Sequence, residues 1–312
     1  MDRCPPGRTR TCCHRPGSRR QCRAVTPDNA APAHRSSPTV DADGEVYVVS
    51  FPKCGRTWLR VLLARAISEA HRLPMELCRN LDLTHFTAAD PGVPRIVFWH
   101  DDQVAWRAPG ELSSDKGFYR DRKVVLLVRD IRDVVVSHYF QRTRREGNPY
   151  TGTLDEFLSE DVGSVRTCLE FWNIWQAQQR TPAAFMISSY ERLSADTTGE
   201  LARILEFCGL PGATEPTTLR VAAEYARFDA MRAMERDDTL RSEKLRQSVP
   251  GDPESYKTRR GVVGGFREYL DEEQVAVIDA LVRDMLDPPW QSMARAADSR
   301  PRSRSAEERR PN

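Results

Sequence analysis

Short runs of consecutive apolar residues alternate along the chain with longer stretches in which apolar residues recur at helical spacing. The runs predict four buried strands, at Glu45–Ser50, Arg95–Trp99, Lys123–Val128 and Ala184–Ser188. The spacing predicts helices over Thr57–Ala70, Val134–Arg142, Leu154–Leu158, Val165–Gln179, Glu200–Cys208, Pro216–Met234 and Asp271–Met285. Apolar strands separated by helices are typical of a parallel sheet covered on both faces. The pattern therefore predicts a three-layer α/β fold with a central parallel sheet flanked by helices.

This periodic pattern stops near both ends of the chain. Residues 1–40 and 291–312 are rich in Arg, Pro and Ser, and we expect them to be disordered tails around one domain at residues 41–290. The two tails carry net charges of +6 and +3, which leaves −7 for the domain in a chain of formal net charge +2. A mildly acidic domain disfavours nucleic acid as a partner.

Hydropathy and cysteine usage exclude further classes of protein. The longest aliphatic run, Val124–Val128, is much shorter than the roughly 20 residues that cross a bilayer. Residues 1–30 contain no apolar segment of a secretory signal. Four of the eight cysteines lie in the first tail at spacings that do not suit a zinc site, namely Cys4, Cys12, Cys13 and Cys22. We expect a cytoplasmic protein with reduced thiols, no bound metal and no membrane span.

The loop between the first strand and the first helix has the composition of an anion-binding turn. Lys53 supplies a mobile positive charge, Gly55 allows close approach of the backbone, and Thr57 places a hydroxyl at the helix start. An ordinary strand-to-helix turn with a capping Thr is the alternative interpretation. The loop does not match a nucleoside triphosphatase, because Lys53 precedes Gly55 and Arg129 stands where a carboxylate would end the third strand.

The segment Phe51–Leu59, which reads FPKCGRTWL, resembles the 5′-phosphosulfate loop of the sulfotransferases that use 3′-phosphoadenosine 5′-phosphosulfate (PAPS). The commoner family form has Ser in place of Cys54 and Thr in place of Arg56. The resemblance implies the P-loop-NTPase-like sulfotransferase fold. It also implies contacts to the co-substrate from Lys53, Cys54, Gly55, Arg56, Thr57 and Trp58.

Two later segments match the same family in the same order. Val124–Tyr139 resembles the segment that binds the 3′-phosphate, and the resemblance assigns this contact to Arg129 and Ser137. Arg259–Arg267 resembles the late basic, glycine-rich segment, and the resemblance adds three residues to the 3′-phosphate clamp: Arg259, Arg260 and Gly261. Each segment alone is weak evidence, because a basic loop or an Arg-Asp surface network is common.

The adenine site is implied by two shorter matches. Tyr190 follows the fourth strand, where the family has a Tyr-Glu step that reaches the base, although a core tyrosine explains the residue equally well. Phe228 matches a family aromatic, and Trp58 and Phe228 could sandwich the purine. Ala226 stands where the family has a Thr, so one polar contact is missing.

The catalytic base is implied at His100, which ends the second strand where the family carries its histidine. Asp101 and Asp102 are alternatives, either as the group that orients His100 or as the base itself. His85 and His138 compete less well, because a helix-packed or exposed role explains His138. Phe98 replaces an accessory lysine that the family often places two residues before its histidine.

The resemblance as a whole implies transfer of a sulfuryl group from PAPS to a hydroxyl or amine of a small-molecule acceptor, with 3′,5′-bisphosphoadenosine (PAP) as the other product. Lys53 would stabilise the leaving phosphate, and Ser137 would restrain hydrolysis of the donor. A P-loop kinase-like phosphoryl transferase is the alternative, and a non-catalytic binder that uses its basic tails is a third interpretation. The acceptor would lie among the segments 79–95, 143–168 and 236–258, of which the last is expected to be a loop or lid. The sequence determines neither the acceptor nor the oligomeric state.

Overall fold

The computed structural model describes residues 45–145, 150–240, 242, 249 and 252–299. The first tail, the end of the second tail and part of the expected lid at 236–258, namely 241, 243–248, 250 and 251, lie outside the described residues. Four strands form one sheet: β1 Val46–Val49, β2 Ile96–Trp99, β3 Lys123–Val128 and β4 Ala184–Ser189. All four coincide with the predicted runs to within one residue at each end.

Eleven α-helices are described, numbered α1 to α11 in chain order. They are Arg56–Ala70, Thr84–Ala89, Ile131–Arg144, Leu154–Ser159, Val165–Gln178, Tyr190–Ala195, Thr197–Cys208, Pro216–Tyr225, Phe228–Arg236, Glu272–Met285 and Pro288–Ala294. Short 3₁₀ turns lie at Met75–Arg79, Val104–Trp106, Pro109–Glu111, Gly117–Tyr119, Pro211–Ala213, Pro253–Ser255, Gly265–Glu268 and Ala296–Ser299. Among these described helices, none is both long enough and apolar enough to cross a membrane.

The sheet is parallel throughout, in the order β2-β1-β3-β4. The two central strands are almost wholly buried, whereas the edge strands β2 and β4 are partly accessible. Near-continuous apolar sequence in β1 and β3 follows from this, because helices cover both faces of a parallel sheet. The predicted α/β architecture is confirmed.

The strand order also determines which helices share a face. The chain steps from β1 to β2 in one direction and from β2 to β3 to β4 in the other, so right-handed crossovers place α1 on one face and α3 and α5 on the other. Contacts between helices agree, since α1 packs with α7 and α8 while α5 packs with α3 and α10.

The structure differs from the sequence expectation at several places. Helices α2 and α6 were not predicted. The single helix expected over 216–234 is divided at Ala226 and Arg227, where the backbone of Arg227 is extended and the carbonyl of Ala226 accepts a hydrogen bond from the Trp58 indole at 3.0 Å. The ordered chain also continues past residue 290 as α11 and a 3₁₀ turn, in which Ala294 and Ala297 are buried. Small apolar residues within an Arg-rich stretch were the only sign of this packing.

The buried carboxylate of Asp133 connects two distant parts of the chain near the carboxyl end of β3. Asp133 in the first turn of α3 accepts hydrogen bonds from the backbone N–H groups of Gly264 at 2.7 Å and Phe266 at 2.9 Å. It also pairs with Arg129 at 3.5 Å, and its side chain is 3% exposed. Asp133 therefore holds the late glycine-rich segment against the end of β3.

We expect Asp133→Asn to lower the free energy of unfolding by about 3 kcal/mol, since the change leaves Arg129 without its buried partner and replaces one acceptor by a donor. Denaturant titration measures the loss. Asp284→Asn is the matched control, because Asp284 on α10 is exposed. This change should alter the free energy of unfolding by less than about 0.5 kcal/mol. A variant Asp133→Asn as stable as the control would show that this carboxylate does not hold the segment.

Candidate active site at the carboxyl edge of the sheet

The loops that leave the carboxyl ends of the four strands carry the residues predicted for the site. Ser50–Gly55 follows β1, His100 follows β2, Arg129 follows β3 and Tyr190 follows β4. Because all four strands are parallel, these ends meet at one edge of the sheet. Ligands of open α/β sheets bind in this position.

The loop after β1 has a backbone shape that exposes the start of α1. Lys53 has φ 73° and Gly55 has φ 93°, and no side chain caps the helix. The first N–H groups of α1, from Arg56 onward, therefore have no partner within the helix and favour an anion. A Cβ atom at residue 55 would lie 2.7 Å from Cδ2 of Tyr190, so the close approach of loop and ring requires glycine.

The side chains of Cys54 and Thr57 have different positions in this loop. Cys54 is fully buried, and burial raises the pKa of its thiol, so its side chain belongs to the core and stays uncharged. Only its backbone can contact an anion. Thr57 lies in the first turn of α1, where its hydroxyl is partly exposed to solvent.

Two ammonium groups share one acceptor beside the loop. Lys53 and Lys257 both donate to the side-chain oxygen of Gln141 on α3, at 3.3 and 3.2 Å. Burial, followed by the charge of Lys257, holds the pKa of Lys53 well below its usual range. Burial, followed by the charge of Arg145, lowers the pKa of Lys257 to about 7. Like charges this close destabilise each other, so the pair is suited to an incoming anion.

Arg129 joins the first motif to the third. Its guanidinium donates to the carbonyl of Lys53 and to the carbonyl of Val262, both at 3.2 Å, and lies 4.2 Å from the ring centroid of Tyr190. Its buried Nε has no hydrogen-bond partner among the described residues. The predicted convergence of the loop, the end of β3 and the late segment is therefore present around this side chain.

Arg259 and Arg260 are held by acidic neighbours. Arg259 donates to Glu254 at 2.8 Å and to the Tyr269 hydroxyl at 2.9 Å, while its buried Nε lacks a partner in the described chain. Arg260 is more exposed and pairs with Glu268 and Glu254. A phosphate at this position has to compete with these carboxylates for both guanidinium groups.

Aromatic rings surround the space between α1 and α9. The Trp58 ring lies 5.4 Å from the Tyr190 ring, and Phe228 at the start of α9 is 43% exposed. Gly261 has φ 67°, and a Cβ atom there would lie 2.3 Å from Cδ2 of Phe228. The exposed ring of Phe228 and the partly exposed ring of Trp58 are suitable for stacking on a purine, whereas Tyr190 is buried. The backbone carbonyl of Ala226 accepts the hydrogen bond of the Trp58 indole. This contact does not need a side-chain hydroxyl at residue 226.

His100 has a defined tautomer. Its Nδ1 lies 3.0 Å from the carbonyl oxygen of Ser50, which only accepts hydrogen bonds, so Nδ1 carries the proton. The lone pair at Nε2 is contacted by a guanidinium nitrogen of Arg56. Burial, followed by the charge of Arg56, holds the pKa of His100 well below 6.5. The imidazole is therefore neutral at physiological pH and can accept a proton at Nε2.

The two carboxylates after His100 bind groups of the loop that follows them. Asp101 pairs with buried Lys116 at 2.8 Å and accepts from the Tyr119 hydroxyl at 3.0 Å. Asp102 pairs with Arg107 and accepts from the backbone of the following loop. Asp101, Asp102 and the next residue all have positive φ, which turns the chain sharply away from β2. The group that orients His100 is the Ser50 carbonyl.

The competing histidines are structural. His138 is buried between the rings of Phe51 and Phe157, and burial, with Arg142 next, lowers its pKa to about 3. His85 is hydrogen-bonded to the Leu77 carbonyl at 3.1 Å. Ser137 lies on α3 one turn before Gln141 and is 7% exposed, so it lies on the same helix face as the acceptor of the two lysines.

Sequence reasoning missed several groups of this site. Gln141 and Lys257 lie four residues after Ser137 and two before Arg259, so their spacing from predicted residues was the available signal. Glu191 accepts from the backbone N–H of Asp130 at 2.9 Å and supports the end of β3. In the described part of the chain, no three His, Cys, Asp or Glu side chains are grouped as metal ligands would be.

Comparison with known proteins identifies the family. A family model described as the sulfotransferase domain matches residues 43–296. The chain belongs to the sulfotransferase family. Cytosolic sulfotransferase 10 of Arabidopsis thaliana is 23% identical over 273 residues, which cover 78% of each chain. Sulfotransferase 2B1 of Mus musculus is 26% identical over 270 residues, covering 80% of this chain and 74% of the relative.

Solved structures confirm that the fold is that of sulfotransferases. The mouse sulfotransferase SULT7A1, solved with PAP, aligns with a TM-score of 0.58 at 18% identity and covers 83% of this chain and 89% of its own. Retinol dehydratase, solved with androsterone and PAP, aligns with a TM-score of 0.57 at 17% identity over 79% of this chain and 81% of its own. The sequence-based prediction of family and fold is confirmed.

We expect Gly261→Ala to weaken PAP binding by roughly tenfold, because the new Cβ displaces Phe228 from its stacking position. The left-handed backbone at this residue adds a loss of about 1–2 kcal/mol in stability. Titration calorimetry and thermal unfolding measure the two effects. The matched control is Gly212→Ala, where an added Cβ meets nothing within 4 Å. Equal PAP affinity in both variants would contradict the assignment.

We expect Arg56→Thr to raise the pKa of His100 towards its ordinary value, because the second cause of the lowered pKa is removed while burial remains. A base must be neutral to act, so activity falls as pH drops through this pKa. The acid limb of the rate profile therefore moves to higher pH in the variant. Histidine NMR titration of the full chain gives the pKa directly, and an unchanged or lower value would contradict the contact with Arg56.

Proposed function

We propose that this sulfotransferase transfers the sulfuryl group of PAPS to a hydroxyl or amine of a small-molecule acceptor, with PAP as the second product. What carries the assignment is the convergence of Lys53, Arg129 and the 259–262 segment around one loop, with neutral His100 beside it. Two of the similar structures were solved with PAP, which supports the choice of nucleotide.

The unpartnered groups of the site suit this donor. The buried Nε atoms of Arg129 and Arg259 are available to the 3′-phosphate, with the backbone of Gly261 close by. The exposed start of α1 and the ammonium of Lys53 suit the 5′-phosphosulfate. Trp58 and Phe228 suit the adenine. These positions are assigned from this chain's own contacts together with the family motif.

The reaction needs a base and a stabilised leaving group. The oxygen of the acceptor substrate forms a bond to sulfur while its O–H proton moves to Nε2 of His100. The bond between sulfur and the bridging oxygen breaks, and its electron pair stays on the phosphate of the leaving PAP. Lys53 stabilises the charge that develops on that oxygen. Ser137 lies one helical turn before Gln141, which binds Lys53, and this placement suits a role in restraining donor hydrolysis before the acceptor binds.

The wider context follows from the relatives. Several plant relatives are named cytosolic sulfotransferases, which supports a cytoplasmic location. A relative in Flaveria chlorifolia is named flavonol 4′-sulfotransferase, which supports an organic small molecule as the acceptor. One catalytic domain at residues 41–290 with a disordered first tail stays a prediction. The second tail begins later than expected, since helical structure continues to residue 299.

The test is direct turnover. We expect the full chain, incubated with PAPS and a panel of phenols, alcohols and amines, to release PAP and a sulfated product that mass spectrometry detects. Lys53→Ala and His100→Ala should each lower kcat by about 100-fold or more, because each removes a group that acts in the transition state. Lys123→Ala is the matched control, since this ammonium contacts the Phe207 carbonyl at the other end of the sheet.

Three results would contradict the proposal, each in a different way. A protein that binds neither PAPS nor PAP by calorimetry is not a PAPS-dependent enzyme. Full activity in Lys53→Ala or in His100→Ala would remove the role assigned to that residue. Turnover of ATP in the presence of magnesium would favour phosphoryl transfer instead.

A further inference from the structure

Helix α1 directs two arginines towards β2, away from the side that we assign to the 3′-phosphate of the nucleotide. Arg56 contacts Nε2 of His100, and the guanidinium of Arg60 lies 4.6 Å from the ring centroid of Phe98 in β2. The sheet order β2-β1-β3-β4 places Arg129 and Tyr190, which follow β3 and β4, on the other side of β1. The two arginines are therefore next to the base and lie away from the 3′-phosphate clamp.

These arginines are poorly compensated by the protein. The buried Nη1 of Arg56 and the buried Nε of Arg60 find no hydrogen-bond partner among the residues that the structure describes. Burial holds the pKa of Arg56 well below its usual range and lowers the pKa of Arg60 to about 10. Asp82 is the acidic residue that acts on Arg60 in the opposite direction.

A third cation increases the excess of positive charge. Lys257 lowers the pKa of His100, as Arg56 and Arg60 also do. The nearby acid Glu235 does not offset this charge fully, because it pairs with Arg145 at 3.4 Å and accepts from the backbone N–H groups of residues 257 and 258. Buried cations without a counter-ion are strongly disfavoured, so the site favours an additional anion.

We propose that the acceptor carries a carboxylate or a similar oxyanion beside its reactive hydroxyl, and that Arg56 and Arg60 bind it. This inference rests on the proposed sulfotransferase function and names the chemical class of its acceptor. Arg56 and Arg60 are one helical turn apart, so their guanidinium groups can hold the same oxyanion. As Arg56 turns to the anion it releases Nε2 of His100, which then receives the proton of the acceptor.

The competing assignment is that these arginines bind the sulfuryl group of the donor. Phe98 stands where the family often has a lysine. The guanidinium of Arg60 lies over the ring of Phe98, so Arg60 supplies a positive charge at this position. Arg60, however, lies over Phe98 of the edge strand β2, across β1 from Arg129. The charge of Asp82, in the segment expected to enclose the acceptor, acts on Arg60 as well. This position favours the acceptor, and the two assignments predict different binding data.

The experiment compares matched ligands on the full chain loaded with PAP. Calorimetry measures the affinity of para- and meta-hydroxybenzoate and of the two corresponding hydroxybenzamides, which have the same shape and no charge. We expect at least one hydroxybenzoate to bind about tenfold or more tightly than its amide, as a charge-assisted hydrogen bond provides. Arg60→Gln should remove this difference, and Arg60→Lys should restore part of it.

Arg65→Gln is the matched control, because Arg65 lies on the same helix but pairs with Glu69 at 2.6 Å. This variant should keep the preference for the carboxylate. Equal affinity for acid and amide, no binding of either acid, or a preference that survives Arg60→Gln would overturn the proposal. The comparison of acid with amide in the wild-type chain tests the proposal even if the glutamine variant fails to fold.

Two further outcomes separate the alternatives. If Arg60→Gln weakens PAPS relative to PAP and leaves the acid preference intact, Arg60 binds the donor's sulfuryl group and the proposal is wrong. PAP binding is measured first in every sample. Absence of PAP binding refutes the proposed function itself, whereas PAP binding without a preference for the acid refutes only the inference about the acceptor.

Discussion

The site depends on the buried carboxylate of Asp133. It pairs with Arg129 and accepts hydrogen bonds from Gly264 and Phe266, which lie 131 and 133 residues further along the chain. A carboxylate that accepts two backbone N–H groups and faces a guanidinium is strongly bound, and its removal leaves a buried charge. The position of Arg129, which touches both the first loop and the late segment, follows from this contact.

The charged side chains at the carboxyl edge of the sheet form two groups, one on each side of β1. On the side of β3 and β4, cations are balanced in part by Glu254 and Glu268 and lie beside aromatic rings, which suits a nucleotide with two anionic ends. On the side of β2, Arg56 contacts His100 and Arg60 lies over Phe98, with little acidic compensation among the described residues. A neutral His100 is the consequence, since neighbouring positive charge and burial both disfavour the imidazolium.

Local sequence patterns failed where a distant partner decided the conformation. Nothing in residues 216–234 interrupts helical spacing, yet the helix breaks at Ala226, whose carbonyl binds the distant Trp58 indole. Asp101 and Asp102 looked suitable as partners of His100, but a left-handed turn directs them to Lys116 and Arg107. The short ordered segment after residue 290 was hidden within an Arg-rich composition because its burial depends on only a few small residues.

The sequence by itself determined the α/β architecture, the four strands and the sulfotransferase family, and it predicts the donor-binding residues and His100 as the base. These features are local, because apolar periodicity and a loop between strand and helix are encoded by neighbouring residues. Only the tertiary structure decided that Gln141 joins Lys53 to Lys257, that the Ser50 carbonyl orients His100, and that Arg56 and Arg60 lie beside the base. Such contacts join residues far apart in the chain, and the parallel sheet brings them together through its strand order.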